Sequence, residues 1–160
     1  MVKKAHAKTS FVNFKSELTA VALSCAKLVK RQEHAKKTLI QDIAKKEKQL
    51  DYSKKQAKQY DFQLETLNKA VAKSRENRQS LLEQRVNKMM MTEIYACTER
   101  LRQQKRDVVK QSQALDALRR ELEECEEEIE DLTEDLEQAN YNVELMVAVL
   151  DQASRISDDK

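Results

Sequence analysis

Glycine, proline and tryptophan are absent from this chain of 160 residues. At average usage, a chain of this length would hold roughly 11 glycines and 8 prolines. Tight turns and left-handed helix caps depend on these residues, and a β-sandwich, a β-barrel or a doubly wound α/β fold needs many such turns. Aromatic residues make up 4% of the chain and charged residues 36%, which disfavours a large globular core. The composition therefore predicts an all-α protein built from long helices.

Residues that carry chemistry are also few. Cys25, Cys97 and Cys125 match no metal-binding spacing, and neither His6 nor His34 has a histidine or cysteine at ligand spacing. A loop that cradles phosphate needs glycine, which the chain lacks. We therefore predict no enzymatic activity, no catalytic, cofactor-binding or metal-binding residues, and no cofactor.

Long uncharged segments are missing as well. The most apolar stretch, Leu18 to Ala26, lies between Glu17 and Lys27 and is too short to cross a membrane. An odd number of cysteines at these spacings fits a disulfide framework poorly and favours a reducing compartment. The sequence thus predicts a cytoplasmic protein with no membrane span, and association with the cytoskeleton is compatible with this.

Heptad periodicity is what the sequence has in abundance, and it is clearest in the C-terminal half. Apolar residues recur every seven positions for eight heptads: Leu101, Val108, Leu115, Leu122, Ile129, Leu136, Val143 and Leu150. Three residues after each of them, six of the eight positions are apolar or small, among them Leu118 and Leu132. This a/d pattern is typical of a left-handed coiled coil and predicts an interaction seam between helices.

The N-terminal half carries a less regular seam. Its first part is predicted from positions seven apart and from positions three residues further on: Phe11, Leu18, Cys25, Gln32 and Leu39, with Phe14, Val21, Leu28 and Ala35. The pattern then restarts with Ile43, Leu50, Ala57, Leu64 and Val71. Because the step from Leu39 to Ile43 is four residues, we predict a stutter that locally unwinds the supercoil.

The two periodic halves differ in phase, and the phase is lost within residues 74–92. Serine and asparagine residues in this segment tolerate turns or cap a new helix. We therefore divide the chain into a basic N-terminal tail (1–10), a basic coiled-coil arm (11–73), a register break or turn (74–92), an acidic coiled-coil arm (93–156) and a tail (157–160). Such a chain either folds back as a long antiparallel helical hairpin or runs on as a nearly continuous rod that pairs with other chains.

Charge is balanced overall but separated along the chain. Residues 1–120 hold 28 basic and 13 acidic side chains, whereas residues 121–160 hold 2 and 15. Folding back would place the acidic block Glu121–Glu137 beside basic residues at about 29–45. A parallel homodimer would instead set that block against its own copy, which is repulsive. Charge therefore favours the hairpin, or an antiparallel pair with another chain.

The N-terminal half also carries a predicted basic interaction surface. Its members are Lys27, Lys30, Arg31, Lys36, Lys37, Lys45, Lys46, Lys48, Lys54, Lys55 and Lys58. This surface suits either internal pairing with the acidic block or an external acidic protein such as tubulin or actin. Nucleic acid is a less suitable partner because lysine outnumbers arginine here and aromatic stacking residues are scarce.

These observations together predict a non-enzymatic coiled-coil spacer, clamp, scaffold or adaptor subunit in a larger assembly, most plausibly a cytoskeletal one. Its partners would be other coiled-coil chains or itself. The alternative is a module that binds a membrane, nucleic acid or acidic polymer through its lysine-rich half, and a third is a chaperone-like hairpin. Salt separates the first two, because binding through lysines weakens steeply with ionic strength whereas seam association does not.

Overall fold

The protein consists of two long helices in a computed structural model. The model describes the backbone of residues 2–76 and 80–158, and the side chains of residues 10, 12–76, 80–156 and 158. Helix α1 spans Val2–Glu76 and helix α2 spans Leu81–Asp158, and no strand occurs in the described residues. Alanine, leucine, lysine, glutamate and glutamine, all good helix formers, dominate both helices. The helices pack against each other, which confirms the predicted all-α helical hairpin.

A capping box begins α2. The Ser80 hydroxyl accepts a hydrogen bond from the Glu83 amide (3.2 Å), and the Glu83 carboxylate accepts one from the Ser80 amide (2.9 Å). These bonds satisfy two of the amides that a helix N-terminus leaves free. Lys73 and Arg75 lie in the last turn of α1, where positive charge interacts favourably with the helix dipole. Serine and charged side chains thus define these two helix ends without glycine or proline.

The helix bounds differ from the boundaries drawn from the sequence. Residues 74–76 and 81–92, which belong to the predicted break, are helical, and residues 77–79 lie outside the described part of the chain. Residues 2–10, predicted as a tail, are the first residues of α1, and residues 157 and 158 still belong to α2. The segment in which the hydrophobic phase is lost is longer than the interruption of the helix, because a helix continues until a cap or a helix-breaking residue stops it.

Contacts divide the chain into two compact units. Unit 1 contains Met1–Ile40 and Glu121–Lys160, and it pairs the first part of α1 with the last part of α2. Its helices are antiparallel, because Phe14 and Val149 line one groove whereas Lys36 Nζ lies 3.0 Å from Glu126 Oε1. The Cys125 thiol also donates to the main-chain carbonyl of Gln32, with a sulfur–oxygen distance of 3.4 Å.

Unit 2 contains Gln41–Arg120 and is antiparallel too. Arg119 donates to the Glu47 carboxylate at 3.1 Å, and the Cys97 thiol lies 3.5 Å from the main-chain carbonyl oxygen of Tyr60. Cys97 is fully buried, and Leu115 is 4% exposed. Small and aliphatic side chains therefore form the most deeply buried part of the contact between the helices in this unit.

In α2, the side chains turned towards α1 follow two columns. One column has a residue every seven positions from Asn87 to Leu150, and the other runs in the same way from Met90 to Met146. Every member of both columns is buried or partly buried. These columns include all ten α2 residues of the predicted seam: Leu101, Val108, Leu115, Leu118, Leu122, Ile129, Leu132, Leu136, Val143 and Leu150.

In α1, the shielded columns differ from the predicted ones. From Leu18 to Ser74, two columns contain only buried or partly buried residues, and their members alternate along the chain in steps of four and three: Leu18, Ala22, Cys25, Val29, Gln32, Lys36, Leu39, Ile43, Lys46, Leu50, Ser53, Ala57, Tyr60, Leu64, Leu67, Val71 and Ser74. The predicted stutter after Leu39 is therefore wrong, since both columns continue through it. Lys36, Lys46 and Ser53 occupy column positions, and their polarity hides the columns from a search for apolar residues.

Three predicted seam residues of α1 lie beside these columns. Phe14, Val21 and Leu28 are 49%, 51% and 42% exposed, so their assignment to the seam between α1 and α2 is corrected. These three residues form a third column. Each of them precedes by one residue a position of the column that contains Ala22 and Val29. The sequence alone does not separate two neighbouring apolar columns when the true one is interrupted by lysine. Phe11, also predicted in the seam, lies outside the residues whose side chains are described.

Candidate functional site

Helix α1 is apolar on more than one side between residues 12 and 28. Ala22 faces α2 and is 8% exposed, whereas its neighbours Val21 and Leu23 are 51% and 60% exposed. Val12 is 50% exposed on another side of the same segment. A helix that is apolar all round is typically buried on all sides. One partner helix covers only part of this segment.

Six exposed apolar side chains of unit 1 lie on one side of the helix pair, three on each helix. Phe14, Val21 and Leu28 stand seven residues apart on α1, and Leu145, Val149 and Ile156 stand four and seven residues apart on α2. A groove of about 320 Å³ between the helices joins the two rows, because Phe14 and Leu18 form one wall and Leu145, Met146, Val149 and Asn142 the other. We call the six residues Phe14, Val21, Leu28, Leu145, Val149 and Ile156 the apolar face.

The members of the apolar face are 42–66% exposed. Single exposed apolar residues are ordinary, but a contiguous apolar patch with a polar rim is typical of an interaction site. Sequence reasoning placed the three α1 members in the wrong seam and missed the three α2 members. Their spacing of four and seven residues, in a row beside the main seam, was the signal that could have found them.

The basic surface predicted from the sequence is mostly unpaired. Lys36 contacts Glu126 at 3.0 Å, and Lys45 lies 3.7 Å from Asp42 on its own helix. The remaining nine have no carboxylate within 4 Å in the described residues: Lys27, Lys30, Arg31, Lys37, Lys46, Lys48, Lys54, Lys55 and Lys58. Internal pairing therefore neutralises little of this surface.

The acidic block in α2 is in a similar state. Glu126 pairs with Lys36, and Glu128 accepts a hydrogen bond of 2.7 Å from the Gln32 amide. Among the described residues, the other carboxylates between Glu123 and Asp131 have no basic group within 4 Å. Within the described residues of unit 1, one ion pair, between Lys36 and Glu126, thus joins the two helices.

Among the described residues, two groups have shifted pKa values. Burial raises the pKa of the Cys97 thiol, and the nearby negative charge of Glu93 acts in the same direction. A hydrogen bond and the positive charge of Lys69 lower the pKa of Glu65. The Cys97 thiol is fully buried in the seam and lies against the Tyr60 carbonyl, so the shift of its pKa reflects its packing against α1.

The described residues contain neither a cluster of metal ligands nor a membrane-spanning helix. No group of three or more histidine, cysteine, aspartate or glutamate side chains in them is arranged to hold a metal ion. Neither described helix contains an uncharged apolar segment long enough to span a bilayer.

Comparison with known proteins adds no relative. No protein family matches the chain, and no similar characterised protein or solved structure was found. The apolar face and the unpaired charges are the features of the described residues that bear on function.

Proposed function

We propose that this chain is a non-enzymatic structural subunit that binds the helices of other protein chains through the apolar face of unit 1, in the manner of a coiled-coil adaptor. The observation that carries the proposal is the apolar face itself, six side chains in two rows on one side of the helix pair, each about half exposed. A cytoplasmic assembly, including one of the cytoskeleton, is the setting in which such a subunit would act.

Energetics support helix docking at this face. Full burial of a leucine, valine or phenylalanine side chain stabilises by about 1.5–3 kcal/mol, so covering the exposed half of each contributes roughly 1 kcal/mol. Six such residues supply about 6 kcal/mol, which is close to the lower estimates of the entropic cost of association. A partner must therefore contribute apolar side chains of its own, as a helix with an apolar stripe does.

A photo-crosslinking amino acid at position 145 tests the proposal in the cells that make this protein. We expect irradiation to yield discrete protein adducts, because Leu145 lines the groove of the apolar face. The matched control places the same amino acid at position 62, since Phe62 is 71% exposed in unit 2 and lies outside the face. Absence of adducts at position 145, or the same adducts at both positions, would contradict the proposal.

The unpaired lysines favour a second candidate function, binding to an anionic surface. Lys54, Lys55 and Lys58 are exposed in unit 2 and have no carboxylate within 4 Å in the described residues. Acidic filaments such as microtubules or actin, and anionic vesicles, are the surfaces that such a cluster attracts.

Co-sedimentation tests this candidate. We expect wild-type protein to sediment with the anionic partner at low salt, and a variant with Lys54, Lys55 and Lys58 changed to Glu to stay in the supernatant with unchanged helicity. Binding should also weaken steeply between 50 and 200 mM salt, because lysine contacts release counterions. Sedimentation that survives both the substitutions and the salt would refute a role for these lysines.

A further inference from the structure

We propose that the end of unit 2 at which α1 finishes and α2 starts inserts into the surface of an anionic membrane without crossing it. Exposed apolar side chains at this end enter the lipid, and basic side chains beside them contact the headgroups. This inference goes beyond the proposed function, because it uses neither the apolar face of unit 1 nor Lys54, Lys55 and Lys58.

The start of α2 carries an exposed apolar cluster. Leu81 is 81% exposed, and Leu82 and Met89 are each 72% exposed, which makes them the three most exposed large apolar side chains among those that the structure describes. Val86 is 46% exposed. We call these four residues the apolar tip. Exposed apolar side chains that stand together, rather than singly, are typical of an interaction site.

The apolar tip occupies more than one side of α2. Three of its members are spaced by four and three residues and form one row along the helix. Leu81 lies about 100° away around the helix axis, in a row that continues with Arg85 and Lys88. A single docked helix covers one row of side chains and leaves the other row in water. A lipid surface covers both rows, because it surrounds the end of the helix pair.

Four basic side chains stand next to the apolar tip, and we call them the basic cluster: Lys73, Arg75, Arg85 and Lys88. Two of them line a groove with Met89, and the other two lie in the last turn of α1. None of the four has a carboxylate within 4 Å in the described residues. The same segments hold two acidic side chains, Glu76 and Glu83, and the Glu83 carboxylate accepts a hydrogen bond from the Ser80 amide. The net charge is therefore positive, which favours anionic lipid over neutral lipid.

The basic cluster lies at the depth of the headgroups when the apolar tip is inserted. The Cys97 thiol contacts Tyr60 and Gln63, so counting along the antiparallel helices brings the last turn of α1 close to residues 85–88 of α2. This level is about 6–10 Å from Leu81, at 1.5 Å per residue. Interfacial helices bury their apolar side chains about 5–10 Å deep, at the boundary between headgroups and acyl chains. Apolar and basic side chains thus match the two layers of one leaflet surface.

Flotation of the purified full-length protein with lipid vesicles tests the proposal. We expect it to float with phosphatidylcholine vesicles that contain about one third phosphatidylserine, and to float far less with phosphatidylcholine alone. Leu81→Gln with Leu82→Gln keeps the charge and should weaken binding about tenfold or more, because two apolar side chains no longer enter the lipid. The matched control is Phe62→Gln, which changes a similarly exposed apolar side chain (71%) of unit 2 and should bind as the wild type does. Wild-type protein that does not float, or a double variant that binds like the wild type, would overturn the proposal.

Fluorescence tests whether the apolar tip itself enters the lipid. The chain contains no tryptophan, so Leu82→Trp introduces a single reporter. We expect its emission to shift to shorter wavelength with the anionic vesicles, and to be quenched by lipids that carry a spin label on the acyl chain. Phe62→Trp is the matched control and should show neither change. A variant that floats with the vesicles but whose tryptophan at position 82 is not quenched would refute insertion.

A protein pocket is the other occupant that these experiments distinguish. A chain that does not bind the vesicles, but that forms a protein adduct from a photo-crosslinking amino acid at position 82 in cells, would refute the membrane as the partner of the apolar tip. The result at position 145 is separate, because Leu145 belongs to unit 1. Either proposal can therefore fail while the other stands.

Discussion

Substitution of Leu115 by Ala provides a direct test of the seam in unit 2. Leu115 is 4% exposed, so the substitution removes three buried carbon groups, one methine and two methyls. At about 0.8 kcal/mol for each group, the transfer contribution is roughly 2.4 kcal/mol. A cavity adds to this cost, but a seam between two helices relaxes easily, so we expect a total of about 2.5–3 kcal/mol, near the lower end for Leu→Ala.

Urea unfolding followed by circular dichroism at 222 nm measures this effect. The midpoint should fall while the dependence of free energy on urea concentration stays constant. Leu82→Ala is the matched control, because it is the same substitution in the same unit at a side chain that is 72% exposed. We expect it to change stability by less than about 0.5 kcal/mol. Equal losses for the two variants would show that the column through Leu115 does not face α1.

Three further predictions follow from contacts within the units. Ser80→Ala should cost about 1 kcal/mol in urea unfolding because it removes the hydroxyl of the capping box, while Ser80→Asp, which keeps an acceptor, should cost much less. Spin labels at Lys37 and Glu123 should lie within about 25 Å of each other, since packed helices are 8–10 Å apart, whereas a continuous rod would separate them by about 130 Å. Iodoacetamide at pH 8 should modify Cys97 more slowly than the partly buried Cys25, because burial raises the pKa of the Cys97 thiol and lowers its thiolate fraction. Mass spectrometry measures both rates, and faster modification of Cys97 would contradict its burial in the seam.

The sequence predicts α2 more readily than α1 for a physical reason. The α2 columns are filled at most levels by leucine, isoleucine or valine, so the apolar spacing coincides with the positions that contact α1. In α1 the same positions include Lys36 and Lys46, which are partly buried although they are charged, because a lysine side chain can bury its aliphatic stem against apolar surface. Heptad searches count such residues as polar, and they move the assigned column to its neighbour.

That error has a direct connection to the candidate site. Phe14, Val21 and Leu28 are more apolar than the residues of the true column beside them, which include Ala22 and Lys36. Sequence patterns reveal that a helix has two apolar columns, but they do not reveal which column the chain covers with its own second helix. The exposed column can be identified only when the position of α2 along α1 and its rotation around α1 are known. This is why the apolar face was not predicted.

The regular steps of three and four residues along both helices restrict how this chain can change in length. One inserted residue rotates all later side chains by about 100° around the helix axis and turns the contacting columns towards solvent. Seven inserted residues restore the rotation, but they displace one helix along the other by about 10 Å, which separates pairs such as Lys36 and Glu126. Insertions or deletions within a unit should therefore persist only as sevens that occur at the same level on both helices.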